Sequence, residues 1–193
     1  NEKNIREGVP VTVSFDLSIS APKIVTRATQ QNESPEHTVN RIYLFAFNSD
    51  GSLDNKQLFS INQSTTECIT TITEFPMHSG YDKRFYAVAN PNSGSGTLGT
   101  EQLAAIETEE QLLNLTSSLL DLTNIERIYF LMSGKLEPAK EGGQINVDED
   151  GSLIGAKLCT DHQKPIIKLK KVDAKITFKI KGAEGLNFVP DRY

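Results

Sequence analysis

Three groupings of side chains in this sequence have types and spacings that chemistry uses. Cys159-Thr-Asp-His162 has the C-x-x-H spacing of half a zinc site. A zinc centre takes four ligands, or three and a water, and no second C-x-x-C or H-x-x-x-H follows, so no metal is expected. Asn146, Asp148, Asp150 and Gly151 imitate the opening of a calcium-binding loop. Such a loop needs a bidentate glutamate at its twelfth position; here that position is Lys157, and the run reads as a hairpin turn. Asn92-Ser-Gly-Ser-Gly96 is glycine-rich but lacks a following Lys-Ser/Thr, which makes it a loop rather than a phosphate cradle. His37, His78 and His162 stand in polar or loop-like contexts, and no G-x-S-x-G elbow or dinucleotide fingerprint is present. The expectation is a non-enzyme without a cofactor. Carboxylates that folding brings together from distant strands would be the exception.

The elements that must position any site are mostly strands. With 193 residues, 37% apolar and 23% charged, the chain is the size of one domain and can build a core. Val11, Val13, Phe15, Leu17 and Ile19 alternate with polar residues through Ser20, the clearest period-2 strand in the sequence. Val39 to Phe47 is apolar on both faces and predicts a central strand buried on both sides. Asp50-Gly51 and Asp150-Gly151 are hairpin turn signals. Further strands are expected at 57–61, 68–75, 84–89, 125–132 and 153–159. Between residues 100 and 120, Leu103, Ile106, Leu112, Leu115 and Leu119 recur at helical spacing, and Thr108 to Gln111 fits a capping box, so two short helices should meet near Thr108. Near the end, Ile167 and Leu169 are odd whereas Val172, Ala174, Ile176, Phe178 and Ile180 are even, the phase slip of a bulge at Lys170-Lys171. Many short strands with one helical insertion predict a β-sandwich.

Charge and cysteine content narrow the setting. The net charge is -5, and residues after Gln163 hold eight Lys/Arg against three Asp/Glu, a local +5. These lysines alternate with apolar residues, as on the wet face of a strand, so nucleic acid is not an expected partner. Cys68 and Cys159 lie far apart and are compatible with a disulfide or with two buried free thiols. No apolar run approaches the ~20 residues that span a bilayer. The start, Asn-Glu-Lys-Asn, lacks the apolar segment of a signal peptide, so any export signal has been removed or never existed.

Four segments in order carry a resemblance. They are Thr26-Arg27-Ala28 after the alternating strand; Val39 to Phe47 leading into Asn48-Ser-Asp-Gly; Phe85-Tyr-Ala-Val-Ala-Asn90; and Met132-Ser-Gly134 followed by Leu169 to Ile180. Together they resemble the Bacteroidales fimbrillin family, the subunits of proteolytically matured type V pili. The resemblance implies a transthyretin-like, Greek-key β-sandwich over residues 1–185, with residues 186–193 beginning a further segment or a linker to a second domain. It implies a subunit of a cell-surface fimbrium at the outer membrane, exported as a lipoprotein whose lipidated cysteine lies upstream of this chain. Stalk subunits of the family lose their first strand when a trypsin-like protease cuts after an arginine. The matching bond here is Arg27-Ala28; Arg27 is then either a maturation site or an ordinary loop arginine, with Arg6 and Arg41 as competitors.

The implied partners are other fimbrial subunits that exchange strands, and the maturation protease. The detachable element would be the first strand, with Val11, Val13, Phe15, Leu17 and Ile19. Five such side chains at about 1.5 to 3 kcal/mol each give about 8 to 15 kcal/mol for seating it, an upper bound. That rivals the net stability of a whole domain, about 5 to 15 kcal/mol. Its loss would leave an apolar groove open to a neighbour's strand. A surface adhesin or glycan-binding module that uses the same sandwich as a rigid support is the alternative.

Overall fold

The period-2 run at the start of the chain forms strand β1, Pro10–Ile19. In this computed structural model, residues 4–19, 38–64, 70–91, 99–115, 131–161 and 163–171 are described. The strands that follow are β2 (Thr38–Phe47), β3 (Leu53–Ser64), β4 (Thr70–His78), β5 (Arg84–Ala89), β6 (Met132–Lys135), β7 (Asn146–Val147), β8 (Leu153–Ile154) and β9 (Ile166–Lys171). Helices α1 (Thr100–Ala104) and α2 (Glu109–Leu113) interrupt them between β5 and β6. Seven strands run in the order β3-β2-β5-β6-β9-β1-β4, and β7 and β8 form a separate hairpin. β9 joins the two layers. Its residues 166–169 run parallel to Asp16–Ile19, and Lys170 and Lys171 pair antiparallel with Ser133 and Met132. The outer strands then meet: Asn55 Nδ2 donates to the Pro76 carbonyl at 2.6 Å, and the His78 amide donates to Asp54 at 3.1 Å. The result is a mostly-β sandwich with a short helical insertion.

The main core lies between the layers. Phe15, Leu17, Ile42, Leu44, Phe75, Phe85, Ile167 and Leu169 are among its fully or nearly fully buried members. β2 has the double burial that its sequence predicts, because Ile42, Leu44 and Ala46 face this core while Tyr43, Phe45 and Phe47 enter a second one. The second core is closed by Leu103, Ile106 and Leu112 from the helical insertion. Thr108 caps α2, its hydroxyl accepting from Gln111 N at 3.2 Å while the Gln111 side chain accepts from the Thr108 amide. That reciprocal pair satisfies donors that a helix start leaves open.

Some expectations need correction. The strand expected over 153–159 ends at Ile154, because Gly155 has φ +82° and a Cβ there would lie 2.5 Å from the Gln144 carbonyl. The strand expected at 57–61 is longer, Leu53–Ser64, since the Asp50-Gly51 turn starts it earlier. The strand expected at 68–75 is described from Thr70 and runs on to His78, and of the one expected at 125–132 only Met132 is described in β6, which continues to Lys135. Val11 is half-buried rather than buried, because it borders an open recess of about 690 Å³ with Pro76, Met77 and His78. Cys159 is disulfide-bonded, which removes the free-thiol alternative and also its use as a zinc thiolate. Cys68, His37, His162 and the phase slip beyond Lys171 lie outside the described residues. The lysines of β9 behave as expected: Lys168 and Lys170 are exposed and alternate with buried Ile167 and Leu169.

Candidate functional site

β1 is an interior strand. Along one edge it pairs antiparallel with β4, from Pro10 opposite His78 to Leu17 opposite Thr70. Along the other, its second half pairs parallel with β9. The ladder to β4 shifts register between Val13 and Phe15, where Glu74 of β4 takes a φ of +60°. The extra residue lies on β4 and lets that strand keep its own apolar side chains inward on both sides of the bulge, Met77 and Phe75 on one side and Ile72 on the other, against the unbroken alternation of β1. Val13, Phe15, Leu17 and Ile19 are buried, all at 2% exposure or less. Phe15 is central among them, its ring 5.2 Å from that of Phe85 and 6.3 Å from that of Phe75, both edge-to-face.

Two features of this seat were not legible as pattern. Asp16, on the polar face, is fully buried, and its amide donates to the Pro165 carbonyl at 2.7 Å. Gly151, at the β7–β8 turn, packs against the main chain of Thr12 so closely that a Cβ there would collide with the Thr12 carbonyl. The Asp150-Gly151 hairpin therefore rests against the first half of β1, where β9 does not reach. Within that turn the Asp148 carboxylate accepts from the amides of Asp150 and Ser152 at 3.0 and 2.9 Å, so the calcium-like run is a turn, as expected.

The sandwich is tied shut beside this end of β1. Lys83, 5% exposed, donates through Nζ to Asp54 Oδ2 at 2.8 Å and to Asn48 Oδ1 at 2.6 Å. His78 Nδ1 lies 2.7 Å from the other oxygen of Asp54. Burial alone would raise the pKa of Asp54, but hydrogen bonds with Lys83 and His78 outweigh it and hold the carboxyl below its ordinary 3.8. A depressed native pKa contributes stability that is present above the ordinary value and is lost as pH falls through the native one. In Asp54→Asn this component disappears. Denaturant titrations at pH values descending below 3.8 should show wild type losing stability more steeply than the variant; parallel curves would contradict the network.

Nearby, Glu109 holds Tyr86 and Arg84, and burial together with Glu109 pushes the Tyr86 hydroxyl above its ordinary pKa. This cluster pins α2 to β5. It and the Lys83 network brace the domain, and among the described residues no cluster of three metal-binding side chains occurs. Asn90 closes β5 with φ +56°, its side chain bonding Asn40 N and the Thr38 carbonyl. Arg41 lies within β2 with its main chain in ladder bonds on both edges, and Arg27 and Ala28 lie outside the described residues.

A family model described as Major fimbrial subunit protein (FimA) matches residues 10–177. No curated protein matches the chain. Among solved structures, it is similar to a proposed cell adhesion protein of Parabacteroides distasonis ATCC 8503, at 17% identity and a TM-score of 0.51, over 86% of this chain and 46% of that one. It is also similar to a proposed cell adhesion protein of Bacteroides eggerthii DSM 20697, at 18% identity and a TM-score of 0.45, over 86% of this chain and 42% of that one. The chain thus spans less than half the length of either structure. Matched by the family model from the start of β1 to beyond β9, this chain belongs to the major fimbrial subunit family.

Proposed function

We propose that the chain is the amino-terminal sandwich of a cell-surface fimbrial subunit that polymerises by strand exchange, without enzymatic activity. In this reading residues 1–185 form the domain and 186–193 lead into a further segment, a lipid anchor upstream holds the precursor at the outer membrane, and a trypsin-like protease cuts after Arg27. The first strand then leaves, and a strand of a neighbouring subunit takes its place. The observation that carries this is the double-edged seat of β1. A strand bonded along one edge and along half of the other, with four buried apolar side chains, leaves behind an apolar groove lined by unpaired main chain. Such a groove is costly until another strand fills it. The names of the similar solved structures, as proposed cell adhesion proteins, agree with a surface role.

Limited trypsin digestion of the full-length protein, with amino-terminal sequencing and electron microscopy, tests the proposal. Cleavage is expected at Arg27-Ala28, followed by fibres, and Arg27→Ala is expected to remain monomeric in cells. Ready cleavage without oligomers or fibres, together with an Arg27→Ala variant that still assembles in cells, would overturn maturation at Arg27; assembly by neither protein would leave a non-polymerising adhesin as the reading.

A further inference from the structure

The groove is not all that holds the first strand. Its lead-in, residues 4–9, occupies a separate recess formed by the turn after β4. Ser79, 2% exposed, is the centre of that recess. Its amide donates to the Val9 carbonyl at 2.8 Å, and its carbonyl accepts from Gly8 N at 2.9 Å. Its hydroxyl accepts from Val9 N at 3.0 Å and donates to the Arg6 carbonyl at 2.6 Å. The amide of Ile5 donates to the Tyr81 hydroxyl at 2.8 Å, and that of Arg6 donates to Glu149 at 2.9 Å. From Ile5 to Val9 every one of these bonds reaches the main chain. Ile5 is buried at 6% exposure, while the side chains of Arg6 and Glu7 point to solvent.

A recess that reads main chain and one apolar side chain does not depend on the rest of the lead-in's sequence. If the first 27 residues depart, it empties together with the groove, and the buried groups of Ser79 lose these partners. Unpaired buried donors and acceptors are strongly disfavoured, so the recess favours a replacement as much as the groove does. We propose that this recess is the second half of the docking site, taking the segment that precedes an incoming strand of another fimbrial subunit. That segment carries an apolar side chain where Ile5 sits and a glycine where Gly8 adopts φ +78°. A bare groove accepts a strand in either direction. The recess makes the incoming strand run as β1 does, parallel to β9, and fixes its register. The inference rests on the strand-exchange reading above.

The test uses the full chain with a protease site inserted within residues 20–37, folded first and cut afterwards. Labelled peptides with the sequence of residues 4–19 or 10–19 are then offered to it. The longer peptide should replace the resident segment and be retained about ten-fold longer or more than the shorter one. Ile5→Ala in the peptide, which alters nothing in the folded protein, should shorten its retention, and Ser79→Ala in the protein, which removes the two hydroxyl bonds and keeps the main-chain ones, should narrow the difference between the two peptides. Equal retention of both peptides overturns the recess and leaves strand exchange standing. Capture of neither overturns both.

Discussion

Phe15→Ala lowers the stability of the uncut domain by about 3 to 5 kcal/mol. Phe15 is fully buried at the middle of β1, against Phe75 and Phe85. Truncating it removes the ring's transfer energy and leaves a cavity that two neighbouring aromatics on different strands cannot both collapse into. Each edge-to-face pair adds about 0.5 to 1.5 kcal/mol beyond the area it buries. A loss of this size approaches the whole margin of an ordinary domain, about 5 to 15 kcal/mol. Urea titration should move the midpoint and leave the slope unchanged. A loss under about 1 kcal/mol, the range of an ordinary substitution, would mean that β1 is not seated by this residue. The same variant should release its first strand faster once the chain is cut, because the groove then holds three large buried apolar side chains instead of four.

Local patterns carried much of this fold and almost none of its long-range pairing. β1, β2 and β5 follow from alternation or from continuous apolar runs, and α2 follows from Thr108 and Gln111, because each signal lies within a few residues of chain. The parallel match of Asp16–Ile19 with Ile166–Leu169 joins segments far apart in sequence, and neither strand's composition specifies its neighbour. Burial of Asp16 on the polar face belongs with this, since alternation counts which face a residue takes and not what folds over it. The strand expected at 153–159 failed on Gly155, where a positive φ and a close carbonyl turn the chain. Of the site itself, the apolar face of β1 was legible in full except for the partial exposure of Val11. The recess for the lead-in was not legible. Its one sequence signal is Ile5, an isolated apolar residue among Asn4, Arg6 and Glu7, and Ser79 acts there largely through its main chain. The tie between Lys83 and Asp54 escaped for a similar reason, as nothing near either residue announces an ion pair that closes the sandwich.

Holding β1 in place should abolish assembly while leaving the fold intact. Thr12 and Pro76 lie opposite each other on β1 and β4, and both are exposed. Opposed residues of an antiparallel pair have Cα atoms about 4.5 to 5.5 Å apart, a separation that a disulfide spans. A Thr12→Cys, Pro76→Cys double variant can therefore be locked by oxidation and released by reduction. Because Cys159 is already disulfide-bonded, wild type treated with the same reductant is the reference. The cut is made within residues 20–37 in both proteins, so that cleavage is equal and only the freedom of β1 differs. In the proposed assembly, departure of the first strand is the step that opens a subunit to its neighbour. Fibre growth of the cut double variant, followed by light scattering before and after reduction, tests that step most directly. Growth should be absent while the lock is closed and should return to the wild-type rate on reduction; growth at the wild-type rate with the lock closed would contradict the account.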